Sequence, residues 1–139
     1  MNDSLPPAPA GLKADELTPA ALAYVGDAVF TLHVRTRLAI AAARPQHELH
    51  RLVSDEVRAA AQAHWLELLE DKLSDEEKTI VRWARNARIG KGGGGTPADR
   101  HHATAFEALL GHLYLSGRST RLQELFDLLT TNQAPPSGG

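Results

Sequence analysis

Apolar residues along this chain recur at three- and four-residue intervals, and no segment alternates with period two. Thr18-Pro19 reads as a helix N-cap followed by proline at the first helical position. From there Leu22, Val25, Val29 and Leu32 keep helical spacing and predict a helix to about Ala41–Ala43. Pro45 opens a second helical stretch with Leu49, Leu52 and Val53; Ser54 is expected to cap a continuation holding Val57, Ala61, Trp65 and Leu68. Ser74-Asp75-Glu76-Glu77 has the form of a capping box. Its acids lie in the first turn and Arg82, Arg85 and Arg88 near the end, a polarity that suits the helix dipole. The glycine-rich run Gly90–Gly95 breaks the chain and Thr96-Pro97 restarts it. The next helix carries Ala105, Leu109, Leu110 and Leu113 and stops at Gly117, and a last one begins near Ser119 with Leu122, Leu125, Phe126 and Leu129. With no hairpin signal and no solenoid repeat, an all-α bundle is expected.

The chain has 139 residues, room for one domain with one core. Residues 1–16 and 132–139 are rich in Pro, Gly and small residues and read as flexible tails around a domain over 17–131. There is no cysteine, which removes disulfides and thiolate metal sites. The apolar stretch Ala20–Phe30 is short and interrupted by Asp27, so no membrane span is expected and the protein reads as soluble and cytoplasmic. A net charge of −2 hides an uneven distribution. Arg82, Arg85, Arg88, Lys91 and Arg100 face one acid, Asp99, whereas Glu67, Glu70, Asp71, Asp75, Glu76 and Glu77 upstream face Lys72. Two readings fit this asymmetry, a polyanion-facing patch or a solvated helix face with its own ion pairs.

Two carboxylates stand apart from the other acids. Asp27 interrupts Ala23-Tyr24-Val25-Gly26-Asp27-Ala28-Val29-Phe30, and Glu107 interrupts Ala105-Phe106-Glu107-Ala108-Leu109-Leu110-Gly111. Gly26 and Gly111 lie close by, and each permits close approach of a second helix or a ligand. A buried carboxylate is costly unless paired, hydrogen-bonded or metal-bound. A divalent cation between the two would remove their repulsion, and Mg²⁺ commonly takes one or two carboxylates and keeps several waters. The plainer alternative is that each acid sits at the edge of the apolar face and reaches water.

The block Leu22–Phe30 resembles the signature of the ribonuclease III family, and Thr104–Tyr114 resembles its second acidic block. Pro45 with Leu49-His50 is similar to the start of the family's connecting helix, and Arg85-Asn86-Ala87-Arg88 to a basic block ahead of the substrate-contacting loop. Order and spacing agree from about Leu17 to Leu129, without the double-stranded-RNA-binding domain of longer members, so the resemblance is to the short branch of the family. It implies an all-α endonuclease domain that dimerises through the signature helix and holds an RNA duplex in a cleft along the homodimer. Asp27 and Glu107 would be the catalytic residues and ligands of Mg²⁺, with Mn²⁺ able to substitute. The products would carry 5′-phosphates, and the substrate would be the precursor of large-subunit ribosomal RNA.

Two positions depart from the family pattern: Ala23 and Thr104 stand where longer members carry acids. A catalytically silent RNA-binding or ribosome-assembly protein of the same fold is therefore the main rival. A duplex is read by shape and phosphates, and Arg82, Arg85, Asn86, Arg88, Lys91 and Arg100 are the expected RNA contacts. Arg82, Arg85 and Arg88 recur every three residues and are expected to fan over one helix side. His101 and His102 are neighbours about 100° apart on a helix and do not readily share a metal; solvent or phosphate contact is expected. Trp65 and Trp83 are expected as core or interface anchors, His50 as a packing residue, and Tyr24 and Phe30 in the core or the dimer seam.

Overall fold

The computed structural model describes residues 8–9, 13–41, 45–57, 59–87 and 97–132. Six helices follow in order: α1 (Pro19–Ala41), α2 (Gln46–Val57), α3 (Ala59–Leu69), α4 (Asp75–Arg85), α5 (Pro97–Leu115) and α6 (Ser119–Asn132). Among the described residues there is no strand, as the absence of period-two patterning predicts. A short 3-10 turn at Ala14–Glu16 precedes α1, and another at Glu70–Lys72 links α3 to α4.

Helix α5 lies at the centre because it is apolar on almost every side: Ala105, Phe106, Ala108, Leu109, Leu110 and Leu113 are fully buried. Helix α1 makes the most extensive contact with it, and α3 and α4 cover its other sides. Phe30 of α1 meets Phe106 edge to face, with centroids 5.1 Å apart. The four helices share one apolar core that takes in Leu66, Leu69, Val81 and Ala84, with Leu122, Leu125 and Leu129 of α6 closing it.

The closest approach in the bundle is where α1 crosses α5. A Cβ added to Gly26 would fall on the Glu107 carbonyl oxygen, and one added to Gly111 on the Leu22 carbonyl oxygen. Each glycine lies against the other helix's backbone, so neither position has room for any side chain. Leu22 and Val29 are buried as the spacing predicts, but Leu32 is exposed and Val25 half-buried; Phe30 and Val34 take the inner positions instead. The inward stripe runs through Gly26, which carries no apolar signal in the sequence.

The local signals act at the helix ends. Thr18 Oγ1 accepts from the Ala21 amide at 3.1 Å. Ser74 and Glu77 form the reciprocal capping box of α4. Gly117 turns the chain out of α5 with φ +76°, and the Arg118 amide reaches back to the Leu113 carbonyl at 2.9 Å. Ser54 is not a cap: α2 continues through it to Val57. Val53 of α2 is buried in the core.

Glu77 does more than cap. It is 2 % exposed and receives two hydrogen bonds of 2.8 Å from Arg121 of α6, which also donates to the Lys72 carbonyl. The bond from Arg121 outweighs burial and holds the Glu77 carboxyl below its ordinary range. This pair fixes α6 to the start of α4. At the other end of the chain, Ala14 is buried and Asp15 meets His112 of α5 at 2.8 Å, so the last residues of the expected N-terminal tail pack on the bundle.

Gly26→Ala and Gly111→Ala are each expected to destabilise the fold by about 3 kcal/mol or more, because backbone rather than a flexible side chain must move. Gly117→Ala meets open space and carries only the left-handed penalty, about 1 kcal/mol. Denaturant midpoints of the three variants check this order; equal costs at all three positions would contradict the crossing.

Candidate active site

The crossing that excludes side chains at Gly26 and Gly111 puts the residues beside them face to face. Asp27 follows Gly26 on α1, and Glu107 supplies the carbonyl that Gly26 rests on. Their carboxyl groups lie within hydrogen-bonding distance of each other. The sequence leaves open burial or a place at the edge of the apolar face; in the structure Asp27 is exposed and Glu107 half-buried. Asp27 sits at the edge of the apolar face, at water, while Glu107 is tucked behind it.

This asymmetry shows in the proton affinity of Glu107, which is pushed up to about 8. Burial contributes most, followed by the hydrogen bond with Asp27 and its charge; a hydrogen bond from Gln62 acts the other way. Gln62 projects from α3 and is 1 % exposed. It escapes sequence reasoning because one glutamine among alanines reads as surface polarity; its place in the spacing Gln62, Leu66, Leu69 is the signal that marks it as inward. Ala23 is buried and Thr104 half-buried. Among the described residues no cluster of three or more His, Asp and Glu gathers at any point.

Two carboxyl groups brought side by side from crossing helices match the donor chemistry of a hard divalent ion. Oxygen ligands, net negative charge and an open side at Asp27 suit Mg²⁺, which fills its remaining positions with water. The residues present therefore fit such an ion.

The basic residues gather at the far end of α4. Arg82 and Arg85 lie in its last turn; Arg88 and Lys91, the rest of the expected basic row, lie outside the described residues. Arg82 and Asn86 are exposed, and Asn86 closes the helix with its amide on the Arg82 carbonyl at 3.2 Å. Arg85 is half-buried and paired with Glu70 at 3.0 Å. Both arginines line a cleft of about 400 Å³ together with Glu70, Asp71 and Lys78. Arg100 is half-buried on α5.

His101 ties α5 to this end of α4. Its Nδ1 lies 2.9 Å from the Arg85 carbonyl oxygen, so the ring donates to the last turn of α4. His102 Nδ1 meets the Ala98 carbonyl at 2.7 Å. Both rings are engaged with backbone rather than with one ion. Six residues separate His101 from Glu107 along α5, about 9 Å of helix rise.

Other expectations meet mixed outcomes. Phe30 is core, whereas Tyr24 is 83 % exposed. Trp65 packs against the core, but Trp83 is nearly half exposed. His50 is exposed and bonds to Gln46 instead of packing, because α2 turns that face to water.

The model of the ribonuclease III domain matches residues 20–118. The chain belongs to that family. Within it the similarity is to the short branch. A Mini-ribonuclease 3 of Thermoanaerobacter sp. is 41% identical over 113 residues, 81% of this chain and 80% of that one. A Mini-ribonuclease 3 of Thermosynechococcus vestitus is 41% identical over 129 residues, 93% of this chain and 84% of that one. A crystal structure of protein FN1578 from Fusobacterium nucleatum shares the fold, with a TM-score of 0.78, 23% identity, and coverage of 87% of this chain and all of that one.

The raised proton affinity of Glu107 has a measurable sign. Unfolded, the group titrates near 4.5; folded and metal-free, near 8. The folded chain thus holds the extra proton between these values, and its stability contribution is complete below the lower one and lost as pH rises through the upper. In EDTA, the denaturant midpoint is expected to fall from pH 5.5 to pH 8.5, and Glu107→Gln to remove that part of the slope. An identical slope in the variant would contradict the pairing.

Proposed function

We propose that this protein is an endoribonuclease that hydrolyses phosphodiester bonds in double-stranded RNA, using Mg²⁺ or Mn²⁺ held by Asp27 and Glu107. The observation that carries this reading is the Asp27–Glu107 pair. The cation, when bound, would activate water and neutralise charge developing on the phosphate. Asp27, at the exposed edge, faces the side from which a phosphodiester arrives; Glu107, behind it, is held by the bundle. Both carboxylates must be ionised to act as ligands, so the proton that Glu107 holds in the metal-free pair would leave as the ion bound.

Arg82, Arg85, Asn86 and Arg100, with Arg88 and Lys91, are the proposed contacts to the duplex backbone. Their sequence-independent charge gives an affinity that falls steeply with salt. The proposed substrate is the precursor of large-subunit ribosomal RNA, the role that the likeness to the short branch implies, with 5′-phosphate products and a cytoplasmic location. Among the described residues no helix is long and apolar enough to cross a membrane.

Two copies are proposed to pair through the outer face of α1. Ala20, Tyr24 and Ala28 are exposed at four-residue intervals and Leu32 continues the row, leaving an aromatic ring between small residues. Asp27 borders the same face, so pairing would place the two sites along one seam.

A silent RNA-binding protein is the second reading, favoured by the lack of a third acid beside the pair among the described residues. End-labelled duplex RNA incubated with Mg²⁺ or with EDTA separates the two. Mg²⁺-dependent cuts are expected, reduced at least about 100-fold in Asp27→Asn and Glu107→Gln, both of which should stay folded. Binding without cuts across several duplexes would favour the silent protein.

Tyr24→Asp is expected to weaken the dimer by about 2 kcal/mol or more, roughly 30-fold in Kd. Sedimentation velocity over a dilution series reads this directly. An unchanged dimer would remove α1 from the interface.

A further inference from the structure

Helix α3 packs against α5 with Leu66 and Leu69 fully buried, and Gln62 occupies the same inward row one turn earlier. An apolar side chain would suit that place better by bulk burial, since a desolvated amide costs about 1–3 kcal/mol unless it is hydrogen-bonded. Gln62 meets part of that cost with a hydrogen bond to the Glu107 carboxyl, while its Oε1 is buried without one. It is therefore a polar group brought from a third helix to a pair formed by the other two.

We propose that Gln62 is a positioning residue, whose buried side-chain amide holds the Glu107 carboxylate in the orientation that binds the divalent cation together with Asp27. The inference rests on the proposed role of the pair as cation ligands.

The chemistry of the amide suits this task. Its N–H donates to one lone pair of the carboxylate and leaves the others for the ion. A lysine or arginine in its place would form an ion pair and compete with the cation. A second acid would add repulsion to a pair already strained in the metal-free state. Carboxylate ligands depend on outer hydrogen bonds of this kind, whose loss weakens a metal by about 10- to 100-fold. Gln62 also has little freedom to wander, because α3 is anchored by the fully buried Leu66 and Leu69.

The test uses the full chain with Gln62→Met, which keeps length and removes the donor, and Gln62→Glu, which keeps shape and adds charge. Two readouts are taken: the rise in melting temperature produced by Mg²⁺, and the Mg²⁺ midpoint of duplex cleavage with KM for RNA at saturating Mg²⁺. Gln62→Met is expected to need about 10-fold more Mg²⁺ in both readouts, with KM unchanged. Gln62→Glu is expected to shift the midpoint to lower Mg²⁺, since a third negative charge touches the pair. A residue that only packs the core would move the metal-free melting temperature and leave the Mg²⁺ midpoint in place. Wild-type midpoints in both variants would overturn the proposal, and if Gln62→Met does not fold, an unmoved midpoint in Gln62→Glu overturns it alone. A wild-type chain that neither cleaves duplex RNA nor gains stability with Mg²⁺ would instead overturn the cation-binding role of the pair, and this inference with it.

Discussion

Backbone contact between α1 and α5 is the constraint on which the rest of the molecule depends. Gly26 sits on the Glu107 carbonyl and Gly111 on the Leu22 carbonyl, so the two helices meet without side chains between them. That contact sets the register of α1 on α5 and fixes which residues turn inward. Phe30 then reaches Phe106, and Asp27 and Glu107 emerge together at the rim. A crossing cushioned by ordinary side chains would hold the helix axes about 8–10 Å apart, with the carboxylates separated. Stability and chemistry therefore draw on the same few backbone atoms.

The electrostatic cost of this arrangement is local. Glu107 lies half in the core and against another acid, and its proton affinity rises accordingly. Elsewhere the fold treats buried charge differently: Glu77 is almost fully buried, yet it meets Arg121 and a capping serine, and its proton affinity falls. Of these two acids on neighbouring parts of the bundle, one is neutralised by the protein itself and the other is left with a neutral amide and a like charge. The first is a fastening between α4 and α6. The second is an unmet demand for positive charge, which a divalent ion would answer.

Much of the fold is legible in the sequence because its signals are local. Thr18-Pro19, the Ser74 capping box and Gly117 mark helix ends through hydrogen bonds made within a few residues. The apolar row on α1 is less legible, since its central inward position is a glycine and apolar spacing alone drifts onto Leu32. The acids are visible as interruptions of apolar runs, but their depth is not: Asp27 is exposed beside the buried Gly26, whereas Glu107 is half-buried. Gln62 is half legible: its spacing with Leu66 and Leu69 marks it as inward, but not what it faces. Its partner lies 45 residues away, and nothing local distinguishes an amide that faces a carboxylate from one that faces water. Arg85 is similar, since its pairing with Glu70 and the bond from His101 to its carbonyl are contacts between separate elements.

The central claim is that one crossing makes one cation site from Asp27 and Glu107. Titration of the metal-free protein with Mn²⁺, followed by the electron paramagnetic resonance of the free ion, tests it most directly. One saturable ion per chain, accompanied by proton release near neutral pH and absent from the Asp27→Asn, Glu107→Gln double variant, is the result the account predicts. An unchanged isotherm in that folded double variant would place the ion elsewhere and contradict it.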